Sequence, residues 1–101
     1  MRTSAPDVYA AGDCAEAYHL VAEKPVYLPM GDTASKQGYV AGANAAGGRE
    51  MFGGIVGSSG FKVFDLEVAR TGLDWDDIQS LGLTATQNIT SHPSHPYGYP
   101  G

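Results

Sequence analysis

Two adjacent residues, Asp13 and Cys14, carry the side chains whose chemistry most needs interpretation. They follow a short apolar run in TSAPDVYAAGDCAEA, residues 3–17. A cysteine becomes a nucleophile when a base or a helix amino terminus lies near it, and His19 is the only close histidine or lysine. Because no other histidine or lysine near Cys14 in sequence could activate its thiol, we interpret Cys14 as a small buried residue. Asp13 either bonds its own backbone in a turn or meets ligand hydroxyl groups, since Gly12 permits close backbone approach.

The length and composition limit the chain to one small domain or part of one. It has 101 residues, of which 14 are glycine and 6 are proline. The formal net charge of −5 argues against nucleic acid or an anionic membrane as a partner, because both attract an excess of Lys and Arg. The single cysteine cannot form an internal disulfide, no apolar run approaches the roughly 20 residues of a membrane span, and no signal segment opens the sequence. We therefore expect a cytoplasmic protein.

The amino-terminal half predicts one strand and one helix. Residues 8–11, VYAA, suit a buried parallel strand that ends at the carboxyl edge of a sheet, where ligands bind in open α/β sheets. No second strand of this kind follows nearby, so its sheet partners are expected outside this chain. Residues 19–32 contain prolines and predict an irregular connection. A helix capped by Asp32 or Thr33 should run to about Ala46 and end before a glycine pair.

The carboxyl-terminal half predicts the beginning of an α+β unit. Residues 61–72, FKVFDLEVARTG, alternate as one strand with apolar residues on both faces. Residues 74–81 predict a short capped helix, and residues 83–90 predict a second strand. The tail beyond them is rich in proline. His92 and His95 lack a companion cysteine or carboxylate nearby, so no metal site is predicted.

Three longer motifs carry a resemblance to a known family. They are TSAPDVYAAGDCAE at residues 3–16, LPMGDTASKQGYVAGANAAGG at 28–48, and GIVGSSGFKVFDLEVARTGL at 54–73. In this combination the sequence resembles the flavin-dependent pyridine nucleotide-disulfide oxidoreductases, most closely the coenzyme A-disulfide reductase and NADH oxidase branch. The resemblance covers nearly the whole chain.

The resemblance implies a fold in two parts. Residues 1–50 correspond to the end of an α/β FAD-binding domain, and residues 51–60 to a glycine-rich connection. Residues 61–101 correspond to the first strand-helix-strand of an α+β dimerisation domain, which is incomplete here. The chain as a whole is thus expected to be an α+β fragment.

The resemblance also implies cofactor-binding residues. Asp13, preceded by Gly12, corresponds to the aspartate that accepts a hydrogen bond from a ribityl hydroxyl of FAD. The backbone N–H groups near Thr33 and Ala34 correspond to those beside the pyrimidine edge of the flavin. Tyr99 corresponds to a tyrosine that reaches across the dimer to the partner's substrate site, and aromatic packing at the subunit interface is an equal alternative for it. The chain departs from its relatives at Gly31-Asp32, where a serine is commoner.

By resemblance, the intact enzyme is an FAD-dependent homodimer that uses NAD(P)H to reduce a small disulfide, coenzyme A disulfide, or oxygen. The resemblance assigns the redox-active cysteine to a segment that this chain lacks. The sequence also has no correctly placed G-x-G-x-x-G phosphate loop, so the isolated chain is expected to be inactive. The alternative is a non-catalytic association module. A small thiol enzyme that uses Cys14 with His19 is a third alternative.

Overall fold

A computed structural model describes residues 1–93, which form a mixed α+β structure, as the sequence predicts. It contains two helices and two separate two-stranded antiparallel sheets. Neither helix in these residues is long and apolar enough to cross a membrane. In chain order the elements are β1 (Ala17–His19), β2 (Lys24–Val26), α1 (Gly31–Ala45), β3 (Ser59–Val63), β4 (Leu66–Arg70) and α2 (Trp75–Ser80).

The long helix α1 lies where the sequence predicts it, but its amino terminus differs. The N-cap residue is Met30, and no side chain caps the helix, so the predicted cap by Asp32 or Thr33 is wrong. Both residues instead lie within the first turn, because extended backbone at Met30 starts the helix earlier. The predicted end is confirmed, since Gly47 follows the last turn with a φ of 94° that favours glycine.

Two predictions for the amino-terminal half are wrong. Residues 8–11 do not form a strand, because within residues 1–93 only a single bridge, from Tyr9 to Arg2, pairs this backbone. Residues 19–32 are not wholly irregular, since β2 pairs there with β1. Pro25 is compatible with that pairing because its missing N–H can face the outer edge of a two-stranded sheet.

The predicted single strand over residues 61–72 is instead the hairpin β3–β4. The chain reverses at Phe64 and Asp65, and Val63 pairs with Leu66. Phe64 adopts a φ of 52°, which is unusual for a bulky residue. Glycine or asparagine usually occupies such a position in a hairpin turn, so the sequence did not predict this turn.

The turn also explains why the single-strand pattern put apolar residues on both faces. Residues directly opposite in an antiparallel pair share a face of the sheet. Phe61 pairs with Val68, and Val63 pairs with Leu66. The hairpin therefore gathers these four side chains on one surface, which we call the apolar hairpin face.

The short helix α2 confirms the prediction for residues 74–81. Asp74 is the N-cap, and its side chain accepts a hydrogen bond from the Asp77 N–H while the Asp77 side chain accepts one from Asp74 N–H. This bond from the Asp77 backbone, together with the charge of Arg70, lowers the pKa of Asp74. The predicted strand over residues 83–90 is wrong, because no strand within the described residues pairs with it.

The described residues do not close a large hydrophobic core. Ala17 and Val40 are their only buried apolar side chains, whereas Met51, Phe64 and Ile89 are among the large apolar residues that are exposed. The radius of gyration is 17.9 Å, against about 13 Å for a compact domain of this size. Much of the apolar surface is thus open to contact with other protein.

Candidate functional site

The loop at Gly12 and Asp13 lies against the first turns of α1. Gly12 has a φ of 86°, a left-handed conformation that strongly favours glycine. A Cβ atom at this position would lie 3.7 Å from the Cβ atom of Ala34. The structure therefore brings together two of the residues that the sequence predicts as a site, Gly12 and Ala34.

A buried side chain of α1, Gln37, holds this loop. Its Oε1 accepts a hydrogen bond of 2.9 Å from the Gly12 N–H, and its Nε2 donates one of 3.2 Å to the Glu16 carbonyl. Gln37 is only 1% exposed. Gln37 was not among the residues predicted from the sequence, although Thr33, Gln37 and Val40 have the spacing of one helix face. A polar residue on a buried face was the available signal.

Asp13 is exposed, and its carboxylate makes no hydrogen bond within residues 1–93. The alternative in which Asp13 bonds its own backbone in a turn is therefore not observed. The turn is closed instead by the Ala15 N–H, which donates to the Gly12 carbonyl over 2.9 Å. As a result, both carboxylate oxygens of Asp13 can accept hydrogen bonds from another molecule.

Cys14 and His19 do not form a catalytic pair. Cys14 is exposed, so its interpretation as a buried residue is wrong. Its Sγ donates a hydrogen bond of 3.4 Å to the Ala11 carbonyl of the same tight loop. His19 is buried, and its Nδ1 accepts hydrogen bonds from the N–H groups of Val21 and Ala22. Nδ1 is thus engaged in supporting the turn between β1 and β2. No hydrogen bond joins Cys14 and His19 in the part of the chain that the structure describes.

The first turn of α1 offers backbone N–H groups, but not from every predicted residue. The Ala34 N–H donates to the Met30 carbonyl over 2.8 Å and is not free. Ala34 contributes its methyl group beside Gly12 instead. The earlier N–H groups, of Gly31, Asp32 and Thr33, precede the first intrahelical bond and make no hydrogen bond within residues 1–93.

A wide groove of about 780 Å³ opens at this helix start. Gly31 and Asp32 line one wall, and residues 58–60 and 69–71 line the opposite wall. The Asp32 carboxylate lies 4.0 Å from Lys36 Nζ on the exposed side of α1, a pair that contributes little to stability in water. The groove thus joins the amide donors of α1 to the hairpin β3–β4.

The sequence also singles out His92, His95 and Tyr99. No cluster of three or more metal-binding side chains occurs among the residues that are described. His92 is exposed near their end, while His95 and Tyr99 lie outside the described residues.

Comparisons with known proteins find close relatives. No protein-family profile matches the sequence. The chain is 40% identical over 101 residues to the NAD(P)H sulfur oxidoreductase (CoA-dependent) of Pyrococcus furiosus, covering all of this chain and 23% of that protein. It is 37% identical over 86 residues to an NADH oxidase of Streptococcus pneumoniae, covering 84% of this chain and 18% of the oxidase. The chain thus spans less than a quarter of the length of these relatives.

Solved structures of similar fold agree with the sequence comparison. An NAD-dependent persulfide reductase from A. fulgidus matches 99% of this chain and 19% of its own chain, with a TM-score of 0.90 and 41% identity. The reduced CoADR-RHD of Bacillus anthracis matches 75% of this chain and 14% of its own, with a TM-score of 0.66 and 34% identity. Both sequence and fold therefore relate this chain to a segment of larger reductases.

Proposed function

This chain belongs to the coenzyme A-disulfide reductase and NADH oxidase branch of the pyridine nucleotide-disulfide oxidoreductases, of which it matches a segment, and we propose that it supplies FAD contacts and subunit association. Residues 1–50 would form the end of the FAD-binding domain, residues 51–60 the connection, and residues 61–101 the start of the dimerisation domain.

The observation that carries the FAD contact is the free carboxylate of Asp13, in a loop that Gly12 places against the first turns of α1. The ribityl chain of FAD offers hydroxyl donors, and an ionised carboxylate is a strong acceptor for them. The amide N–H groups of Gly31, Asp32 and Thr33 offer donors with the partial positive charge of a helix amino terminus. These two kinds of group fit the polyol and the electron-rich edge of a flavin. Gly12 keeps side-chain bulk away from the loop.

The proposed parent enzyme is cytoplasmic and homodimeric, and it takes hydride from NAD(P)H. When bound, FAD would relay those electrons to a small substrate with a sulfur–sulfur bond, such as coenzyme A disulfide, or to oxygen. The relatives, which include a CoA-dependent sulfur oxidoreductase and NADH oxidases, support both substrate classes. The residues of this chain would orient the flavin and would not themselves react.

Replacing Asp13 tests the FAD contact in the full-length enzyme. We expect Asp13→Asn to weaken FAD binding by at least about tenfold, because a hydrogen bond to a charged group contributes about 1.5–3 kcal/mol. The measurement is titration of the apoenzyme with FAD, followed by flavin fluorescence.

Asp7→Asn is the matched control for this experiment. Asp7 is an exposed carboxylate in the same segment, and asparagine tolerates its φ of 60°. Its FAD dissociation constant should equal that of the wild type. Equal FAD affinity of the Asp13→Asn variant and the wild type would contradict the proposal.

A non-catalytic association module is the second candidate, and the apolar hairpin face supports it. Phe61, Val63 and Leu66 on that face are all exposed within the described residues. Light scattering of the purified chain at two concentrations, together with its visible spectrum, separates the candidates. A colourless chain whose mass rises with concentration supports association alone, whereas flavin absorption supports the FAD contact.

A further inference from the structure

We infer that Gln37 is a positioning residue that sets the Asp13 carboxylate relative to the start of α1, an inference that rests on the proposed FAD contact. Gln37 would not touch the cofactor. It would act through the loop from Gly12 to Glu16, whose two ends it binds.

The geometry of the two hydrogen bonds carries this inference. Gln37 accepts from the Gly12 N–H, immediately before Asp13, and donates to the Glu16 carbonyl, shortly after it. One side-chain amide therefore bridges the loop on both sides of the carboxylate. The partners are 25 and 21 residues away in sequence, so these bonds fix a tertiary relation rather than a local turn.

The burial of Gln37 makes the bridge rigid. The side chain is 1% exposed, so water has little access to compete for either bond. Breaking the bridge would leave the buried amide without partners, which costs more than the loss of an exposed hydrogen bond. The loop is also closed internally by the bond from Ala15 to Gly12. Gln37 thus anchors a preformed loop to the helix, one turn after Thr33.

Asn44 provides a matched comparison on the same helix. Its Nδ2 donates to the Glu50 carbonyl over 3.0 Å, and its Oδ1 accepts from the Glu50 N–H over 2.8 Å. It therefore forms the same kind of amide-to-backbone bridge, but to a segment that does not carry Asp13. Both residues tie α1 to a loop, although the Asn44 bonds are exposed, and only Gln37 binds the loop that carries Asp13.

A double-mutant cycle in the full-length enzyme tests the inference, with FAD as the probe. Gln37→Met keeps the length of the side chain and removes both bonds, and we expect it to weaken FAD binding about tenfold. Because Gln37 acts through Asp13, Gln37→Met combined with Asp13→Asn should bind FAD within about twofold of Asp13→Asn alone. Asn44→Ala should leave the FAD dissociation constant unchanged.

The same measurements separate a failure of this inference from a failure of the proposed FAD contact. If the effects of Gln37→Met and Asp13→Asn multiply, Gln37 has only a structural role and the inference is overturned. If Asp13→Asn alone has no effect on FAD binding, the proposed FAD contact fails, and the inference fails with it.

Gln37→Glu covers the case in which Gln37→Met does not fold. Glutamate retains an oxygen acceptor for the Gly12 N–H and loses the donor to Glu16. We expect weaker FAD binding that again adds little to Asp13→Asn. Multiplying effects in this second cycle would overturn the inference as well.

Discussion

The amino-terminal region, residues 1–58, and the carboxyl-terminal region, residues 59–93, use their side chains in opposite ways. Every buried side chain among residues 1–93 lies in the amino-terminal region: Ala17, His19, Thr33, Gln37 and Val40. Three of these are polar, and Gln37 and His19 bind backbone groups of neighbouring loops. The carboxyl-terminal region buries no side chain and displays the apolar hairpin face.

The two regions therefore differ in where their stabilising contacts come from. The amino-terminal region fixes one polar loop through contacts within the chain, as a binding site requires. The carboxyl-terminal region has a regular hairpin and a capped helix, but Phe61, Val63 and Leu66 stay exposed on the apolar hairpin face. We expect protein outside residues 1–93 to stabilise it, since an isolated two-stranded hairpin is marginal in water.

The largest expected effect comes from the apolar hairpin face. Phe61 is 57% exposed on this face, and a large aromatic residue at the centre of an interface contributes about 2 kcal/mol or more. In the full-length enzyme, Phe61→Ser should therefore weaken dimer formation about thirtyfold. Sedimentation velocity over a range of protein concentrations measures this change.

Tyr39→Ser is the control, because Tyr39 is an exposed aromatic residue on α1 in the amino-terminal region. Its dimer dissociation constant should match that of the wild type. If both variants dimerise normally, the contrast between the two regions does not extend to subunit association.

A pair of glycines gives the next largest effect. Gly12→Ala should lower the free energy of unfolding by about 1–2 kcal/mol, because its φ of 86° disfavours a side chain. Gly38→Ala should raise it by about 0.5–1 kcal/mol, since alanine favours the helix and no described atom lies within 4 Å of the new Cβ. Urea denaturation of the full-length enzyme measures both changes.

The sign of the change in unfolding free energy for Gly38→Ala also tests how closely α1 is packed. A loss of stability there would show that α1 packs closely at Gly38 against residues beyond those described. Equal losses at Gly12 and Gly38 would argue against a special role for the loop conformation.

The smallest effect concerns α2. The pKa of Asp74 is lowered, so its stabilising contribution is present above the ordinary pKa of aspartate and is lost as the pH falls through the lowered value. Asp74→Asn should therefore melt slightly below the wild type near neutral pH, and the two should converge as the pH falls below the lowered pKa of Asp74. Thermal unfolding followed by circular dichroism measures this difference.

Asp76→Asn is a suitable comparison for the capping experiment. Asp76 also lies in the first turn, but it is not part of the capping box. A pH-dependent difference of equal size for both variants would assign the effect to helix charge rather than to the box.

The two helices were predictable because their signals are local. Asp74 and Asp77 have the spacing of a capping box, and glycines follow both helices. The strands were less predictable, because a strand exists only when a partner pairs with it. Residues 83–90 have the composition of a strand but no partner within residues 1–93, and the turn at Phe64 and Asp65 has a bulky residue, not glycine or asparagine, at its positive φ.

The candidate site shows the same division between local and tertiary information. Gly12 and Asp13 could be identified from a contiguous motif. Gln37 could not, because its role depends on the packing of α1 against a loop 25 residues away. Because the N-cap is Met30, the free N–H groups of α1 belong to residues 31–33 and not to Ala34.

The short turn at Phe64 has a consequence for the order of folding. Strands β3 and β4 are adjacent in sequence, so their pairing is among the contacts that form fastest. The tie between Gln37 and Gly12 spans a longer loop and closes later. The apolar hairpin face of a newly made chain stays exposed until other protein covers it. We expect subunit assembly to complete the folding of this hairpin, so that slow assembly would favour aggregation of newly made protein.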